Sequence, residues 1–293
     1  MRTPLAKACV AAIALALAPG AAADDDVASG RVAAALTSRF AALERAPDPG
    51  PFGRALYLES IEGGDRVSGE IHAVVDHPFA VTSAALGRPS QWCDILLLHL
   101  NTKHCRAAAA GAGQVLHVGI GGKHDQPVGD AYRVDFGYRV SARTANFLQV
   151  GLLADEGPLG TRDYRIVLAA TPAGERRTLI RLSYSYAYGM TGRLAMEAYL
   201  GTLGRDKVGF TVVGRLADGG PRYVGGMRGV VERNSMRYYL AIEAFLGALA
   251  LPVPSRREAS MRDWFSASER YPRQLHEMER AEYLAMKRKE YAR

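Results

Sequence analysis

Hydrophobic and polar residues alternate through much of the middle of the chain, and this pattern predicts β-strands. The clearest example is residues 132–140, where an apolar or aromatic side chain occupies every second position. Residues 162–170 and 177–188 have the same character and are joined by a glycine-containing turn at residues 171–174. Side chains alternate between the two faces of a strand, so each segment offers one face to a core. Successive strands joined by short turns predict an antiparallel meander rather than a parallel sheet.

Four more segments have strand-like patterns: residues 54–61, 66–75, 114–120 and 146–153. The first two flank a turn with two glycines at residues 62–65 and form a predicted hairpin. Residues 79–86 suit a short helix. Residues 92–100 are mostly apolar and suit either a strand or a buried helix, because periodicity does not separate the two. The small residues at 107–113 predict a flexible connection.

A long apolar helix is predicted after the strands, over residues 234–249. Asn234 suits the N-cap, and Tyr238, Ile242 and Phe245 recur at helical spacing. Pro252 follows the helix and marks its end. Before this helix the pattern is weaker and predicts one helix and two strands: residues 192–202, 207–215 and 222–231.

The N-terminus resembles a secretory signal. Arg2 and Lys7 precede a short apolar run at residues 8–18, and small residues lead to a predicted cleavage site near Ala23. A membrane anchor is the alternative, but the run is shorter than the roughly 20 apolar residues that span a bilayer. We therefore expect an exported, soluble mature chain in a periplasmic type of compartment.

Four regions follow from these features. They are a signal peptide (1–23), an N-terminal helix with a proline-rich linker (24–52), a main domain (53–251) and a charged helical extension (252–293). The extension carries a stripe of Trp264, Tyr271, Leu275 and Met278 that could dock on the main domain. The alternative is contact with a membrane surface. If the stripe docks, the basic side chains of the extension are expected in solvent: Arg262, Arg270, Arg273, Lys287, Arg288 and Lys289.

The net charge of the chain narrows its possible binding partners. The formal net charge of +7 falls to +5 when Arg2 and Lys7 leave with the signal. This surplus permits contact with anionic lipid, whereas nucleic acid is an unexpected partner for an exported chain.

The cysteine content predicts one disulfide. Loss of Cys9 leaves Cys93 and Cys105, which we expect to form a disulfide in an oxidising compartment, with two free thiols as the alternative.

The order of the elements resembles the START-like superfamily, also called helix-grip or SRPBCC-type. The likeness covers residues 53–251: an early hairpin, short helices ending near Trp92, an antiparallel meander and a long C-terminal helix. Members include lipid-transfer domains, pollen-allergen-like proteins and polyketide cyclases. The resemblance implies an α+β fold in which a curved antiparallel sheet grips the long helix, with a ligand cavity between them. The helix at residues 192–202 and the long terminal extensions depart from the simplest form of this plan.

Aromatic residues on the predicted inner face are the candidate ligand contacts. Rings with hydroxyl tips suit a mostly apolar pocket with a few polar anchors, although tyrosines also pack well as ordinary strand core. If the tyrosines line a cavity, Arg139, Arg165 and Arg181 on the opposite faces point to solvent. The candidate ligand-binding residues are Trp92, Phe136, Tyr138, Tyr164, Tyr184, Tyr186 and Tyr188.

No catalytic or cofactor motif is evident in the sequence. The histidines lack metal-ligand spacing and are interpreted as surface or hydrogen-bonded structural residues. Ser183 and Ser185 lack the context of a nucleophile elbow. The sequence thus predicts no catalytic residue, no cofactor and no metal, with a lipid or other hydrophobic small molecule as the partner. An enzyme of the cyclase or aromatase kind and a structural envelope protein with a closed core are the alternatives.

Overall fold

The computed structural model describes residues 20–44, 52–111, 113–190, 192, 194 and 207–293. Its strands are β1 (Leu56–Gly63), β2 (Arg66–Val75), β3 (Thr102–Ala110), β4 (Gly113–Ile120), β5 (Tyr132–Arg143), β6 (Leu148–Glu156), β7 (Thr161–Pro172), β8 (Thr178–Tyr188), β9 (Val212–Arg215) and β10 (Pro221–Tyr223). Its α-helices are α1 (Gly20–Glu44), α2 (Phe79–Leu86), α3 (Pro89–Leu96), α4 (Gly226–Gly247), α5 (Val253–Ser268), α6 (Pro272–Leu275) and α7 (Arg280–Tyr291).

Eight strands form one curved antiparallel sheet in the order β1-β2-β8-β7-β6-β5-β4-β3. Each strand from β3 to β8 pairs with its neighbour in sequence, so the predicted meander is confirmed. The β1–β2 hairpin joins the sheet beside β8. The long helix α4 packs on β1, β2 and β8. The predicted α+β fold, in which a curved antiparallel sheet packs against a long helix, is therefore confirmed.

Close packing of α4 on the sheet depends on a glycine. Gly69 lies on the buried side of β2, opposite Tyr184 of β8. A Cβ atom at this position would lie 2.6 Å from Ser235 Oγ and 3.3 Å from the carbonyl oxygen of Val231. These distances are too short for a side chain, so glycine allows the helix to rest on the strand.

Three predicted elements differ from the structure. Residues 107–113 were expected to be a flexible connection, but Ala107–Ala110 pair with β4 as part of β3. Residues 222–231 were expected to be a strand, but only β10 is extended and α4 begins at Gly226. Asn234 therefore lies inside α4 rather than at its N-cap. Val231 and Glu232 are fully buried, which indicates that tertiary packing outweighs the strand preference of this segment.

The structure also decides the conformation of other segments for which the sequence pattern was weak or allowed two interpretations. The apolar run that begins at Trp92 belongs to α3 and the turn after it, not to a strand. Of the predicted strand at residues 207–215, only β9 is extended, and it pairs with β10 outside the main sheet. The predicted helix at residues 192–202 lies largely outside the described residues, as does the predicted signal up to residue 19. Among the described helices, none is both long and apolar enough to cross a membrane.

The C-terminal extension packs on the main domain. Trp264 is buried, stacks on Tyr283 with ring centroids 5.0 Å apart, and donates a hydrogen bond to the Arg237 carbonyl (3.0 Å). Leu275 and Met278, also on the predicted docking stripe, are buried with it. The extension therefore uses its apolar stripe as part of the core.

Lys287 corrects the expectation that the basic residues of the extension are solvated. It is fully buried and bonds the carbonyls of His99 (2.6 Å) and Thr102 (3.0 Å) and the Glu290 carboxylate (2.6 Å). Lys103 of β3 reaches the other oxygen of Glu290 at 3.1 Å. One carboxylate thus joins two buried lysines and ties α7 to the edge of the sheet.

The predicted disulfide is present. Cys93 of α3 and Cys105 of β3 are bonded, with their Cα atoms 5.2 Å apart. The bridge fixes α3 against the edge strand. His99 lies between the two cysteines in sequence, so the disulfide also restricts the segment that carries its imidazole.

Candidate ligand-binding site between the sheet and the long helix

Five of the seven predicted ligand contacts form one continuous aromatic wall. The alternation of β5, β7 and β8 places them on the buried face of the sheet. Tyr164 lies at the centre, with its ring centroid 5.2 Å from Tyr186, 6.3 Å from Tyr184 and 6.3 Å from Phe136. Tyr186 continues to Tyr188 at 6.4 Å. Strand periodicity alone is sufficient to place these rings together.

The other two predicted ligand contacts, Trp92 and Tyr138, share one backbone carbonyl as a hydrogen-bond acceptor. Trp92 Nε1 donates a hydrogen bond to the Leu86 carbonyl at 2.7 Å, and the Tyr138 hydroxyl donates to the same oxygen at 3.2 Å. Leu86 ends α2, so these two side chains tie α2 to α3 and the sheet. Burial raises the pKa of Tyr138 to about 12. Both residues line the core, and their polar atoms are used in structural bonds.

The hydroxyl groups of the wall differ in their hydrogen-bond partners. Burial raises the pKa of Tyr164, Tyr184 and Tyr186, so each keeps its proton at neutral pH. The Tyr164 hydroxyl lies 2.8 Å from Thr161 Oγ1, and Tyr188 donates to Glu62 at 2.9 Å. The Tyr184 hydroxyl interacts with Asn234 of α4, which links the wall to the helix.

One stripe of α4 faces the wall and keeps accessible surface. Val230, Asn234 and Tyr238 are spaced one helical turn apart and are half-buried. Their neighbours Val231 and Ser235, which rest on β2, are fully buried. Tyr238 contacts the wall through Tyr184, with ring centroids 5.4 Å apart. The stripe therefore combines a direct contact with the wall and surface that remains accessible.

His99 completes the site and corrects the sequence interpretation of this histidine as a surface or fully hydrogen-bonded residue. It is 3% exposed and stacks on Tyr238 with ring centroids 4.9 Å apart. Its Nδ1 accepts a hydrogen bond from the backbone N–H of Asn101 at 3.2 Å. Its Nε2 has no hydrogen-bond partner within the part of the chain that the structure describes. The available sequence signal was a polar residue between Leu98 and Leu100 in an apolar run.

A cluster of cations lies beside His99. Lys123 Nζ and Arg237 Nη2 lie 2.6 and 2.7 Å from Glu277 Oε1, and Lys207 Nζ lies 3.2 Å from Oε2. Burial opposes ionisation of Glu277, but the three cations outweigh it and lower its pKa to about 2. Burial and the charge of Arg237 lower the pKa of Lys123 to about 8.

The opposite face of the sheet carries paired charges. Arg139 and Arg165 are exposed, and Arg181 pairs with Glu70, as expected for residues that alternate with the tyrosines. Glu70 also lies 2.6 Å from His72 Nε2, and Glu59 completes a group whose potential metal-ligand atoms lie within 4.8 Å of one another. Burial would raise the pKa of Glu70, but His72 and Arg181 lower it to about 2. This carboxylate is therefore satisfied by the Arg181 ion pair and the His72 contact.

Comparison with known proteins extends the likeness to solved structures. No family model matches the chain, and no curated protein matches it. A norcoclaurine synthase from Thalictrum flavum, in complex with dopamine and hydroxybenzaldehyde, is 16% identical with a TM-score of 0.33 over 50% of this chain and 90% of its own. The Zhui aromatase/cyclase from Streptomyces sp. R1128 is 13% identical with a TM-score of 0.30, over 73% of this chain and 95% of its own.

Human StAR-related lipid transfer protein 5 is a third similar structure. It is 8% identical with a TM-score of 0.32, over 60% of this chain and 90% of its own. All three have the helix-grip fold. Because the scores and identities are low, these likenesses carry no argument about ligand or reaction. The fold assignment rests on the strand order and on the position of α4.

Proposed function

We propose that this protein binds a lipid or another hydrophobic small molecule between α4 and the aromatic wall. The observation that carries the proposal is the half-buried stripe of Val230, Asn234 and Tyr238 on α4, which contacts the wall through the Tyr238 and Tyr184 rings. The wall supplies five aromatic rings, and the tyrosine hydroxyls, Asn234 and His99 supply polar atoms beside them. A mostly apolar site with a few oriented polar groups is typical of small-molecule binding.

Export and transfer extend this proposal. The signal-like N-terminus supports an exported, periplasmic type of location, where a protein with such a site could carry its ligand between membranes. Determining the N-terminal sequence of the protein isolated from its native cell envelope tests export. A new N-terminus near Ala23 is expected, and recovery of the uncleaved chain from the cytosol would contradict this part of the proposal.

Native mass spectrometry with lipid extraction tests ligand binding. The protein purified from its own envelope is expected to carry an apolar molecule that leaves on extraction. Recovery of the protein at its bare mass under gentle ionisation, together with no uptake of added hydrophobic probes, would favour a closed structural core instead.

Two variants locate the ligand. Tyr184→Ala and Tyr186→Ala remove rings from the wall and are expected to reduce the retained ligand at least several-fold. Tyr57→Ala is the matched control, because Tyr57 lies on the opposite face of the sheet and bonds Glu59 at 2.8 Å. Circular dichroism establishes whether each variant is folded. Equal retention by folded wall variants and the control would show that the ligand lies elsewhere.

An enzyme of the cyclase or aromatase kind is the second candidate. It is favoured by the buried His99 imidazole, which adjoins Tyr238 and leaves one ring nitrogen unbonded among the described residues. A binding protein returns its ligand with unchanged mass and fragmentation, whereas a cyclase returns an isomer with altered fragmentation or, where dehydration follows ring closure, a product lighter by the water lost. Mass analysis of the released ligand after prolonged incubation therefore separates the two functions.

A further inference from the structure

The imidazole and the backbone of His99 are both fixed in position. One face stacks on Tyr238, and Nδ1 accepts the Asn101 backbone N–H. The carbonyl of His99 accepts a hydrogen bond from Lys287, so the backbone is fixed as well. Asn101 is held in turn, because its side chain donates to the Gly121 carbonyl at 2.7 Å. The ring therefore has little freedom to turn Nε2 towards another partner.

These contacts also determine which nitrogen carries the proton. Burial lowers the pKa of His99 well below its usual value, and the charges of Arg237 and Lys287 lower it further, so the ring is neutral. A neutral imidazole has one donor and one acceptor nitrogen. Because Nδ1 accepts from Asn101, the hydrogen-bond pattern assigns the proton to Nε2. Nε2–H is then a buried donor that lacks an acceptor within the described ranges.

The polar groups around this donor define what it can bind. The Asn234 side chain lies near both His99 and Tyr184 without forming a hydrogen bond to His99 Nε2, so it lies where the helix stripe meets the wall. Arg237, Lys123 and Lys287 all act on His99 as positive charges, even though Glu277 and Glu290 pair with them. A buried donor in a positive potential favours an anionic oxygen over a neutral one.

We propose that His99 Nε2 donates a hydrogen bond to a carboxylate oxygen of the bound ligand, and that the ligand is an apolar carboxylic acid whose chain lies along the aromatic wall. This inference rests on the proposed function. It adds the chemical class of the ligand and the position of its polar end. Tyr238 and Asn234 border the same point and would keep the carboxylate next to His99.

Binding of two probes with the same chain length tests the proposal. Dodecanoate and dodecan-1-ol have the same carbon chain and differ in the charge of the polar end. Isothermal titration of the delipidated protein is expected to show tighter binding of dodecanoate, by about tenfold or more. Equal or tighter binding of the alcohol would overturn the proposed class while leaving a hydrophobic ligand in place. Failure of both probes, and of other apolar probes, would overturn the proposed function itself.

Variants of His99 identify the donor. His99→Phe keeps an aromatic ring beside Tyr238 but removes the N–H, and it is expected to weaken dodecanoate binding by about 10- to 100-fold. His99→Gln offers an amide N–H at a similar position and is expected to restore part of this loss. His117→Phe is the control, because His117 bonds Asp135 on the exposed side of the sheet. Thermal unfolding of each variant confirms that it is folded.

A spectroscopic measurement separates binding from a purely structural role. The ¹⁵N chemical shifts of His99 report which nitrogen carries the proton. Dodecanoate is expected to shift the Nε2–H resonance and leave the proton on Nε2. An unchanged resonance on saturation, or unchanged dodecanoate affinity in folded His99→Phe, would show that the ligand does not contact this donor.

Discussion

Two sets of buried polar residues lie next to His99, and they differ in how many of their possible hydrogen bonds are formed. On the backbone side, Lys287 and Lys103 share the Glu290 carboxylate, and both also donate to backbone carbonyls. On the side-chain side, His99 adjoins Tyr238 and Asn234, and its Nε2 lacks a partner among the described residues. The first set is charged, and its lysines and carboxylate have hydrogen-bond partners. The second set is neutral, and within the described residues it leaves one ring nitrogen without a hydrogen-bond partner.

The difference separates structural stabilisation from binding capacity. A buried ion is tolerated only when its charge and hydrogen bonds are satisfied, so the lysine network fixes α7 against β3. A buried neutral donor without a partner costs less and can be retained where a ligand supplies the missing acceptor. The same short segment therefore contributes its backbone to the fold and its side chain to the candidate site.

The largest predicted effect comes from breaking the saturated network. Glu290→Ala leaves two buried lysines without their carboxylate, and it is expected to lower the free energy of unfolding by about 3–5 kcal/mol. Glu258→Ala is the control, because Glu258 pairs with Arg262 and Arg288 at the surface and is expected to cost under about 1 kcal/mol. Urea denaturation measures both. Similar small losses would show that the buried network contributes no more than a surface pair.

The next effect depends on pH and concerns Glu277, which pairs with Lys123, Lys207 and Arg237. Its pKa in the folded protein is about 2, below the usual 4.5, so the unfolded chain takes up its proton first as the pH falls. The stabilisation is therefore complete above about pH 4.5 and is lost as the pH falls towards 2. Its size is about 3 kcal/mol, because the pKa of Glu277 falls from 4.5 to about 2 on folding.

Comparison of the protein with Glu277→Gln measures this contribution. The stability difference between them is expected to be largest near neutral pH and to shrink between pH 4.5 and 2. Glu282→Gln, at an exposed position of α7, serves as the control and is expected to show little difference at any pH. A Glu277→Gln difference that is constant over this range would mean that the cations do not stabilise the carboxylate.

The parts of the fold that were predictable are those with a local pattern. The period of two in β5 and β8 placed Phe136, Tyr184 and Tyr186 on the core face without knowledge of their neighbours. The paired cysteines were also predictable from composition and the signal-like N-terminus. The start of α4 was missed because Val231 and Glu232 become helical where they are buried against other elements.

The parts that were missed depend on contacts between distant residues. Lys103 and Glu290 are separated by 187 positions, and in the sequence Lys287 resembles any other lysine of a charged helix. His99 is similar, since its role follows from Tyr238 on a different element. Pattern identifies which face of a strand is buried, but it does not show which buried polar atoms lack partners.

The smallest predicted change in stability concerns the neutral set of side chains around His99. Tyr184→Phe removes only the hydroxyl that interacts with Asn234, and the ring contacts with Tyr238 and Tyr186 are kept. The ligand-free protein is expected to lose no more than about 1 kcal/mol, because one neutral intramolecular hydrogen bond contributes little net stability. Urea denaturation after delipidation measures this. A loss as large as that of Glu290→Ala would place the hydroxyl in the structural network, and the distinction between the two sides of His99 would no longer hold.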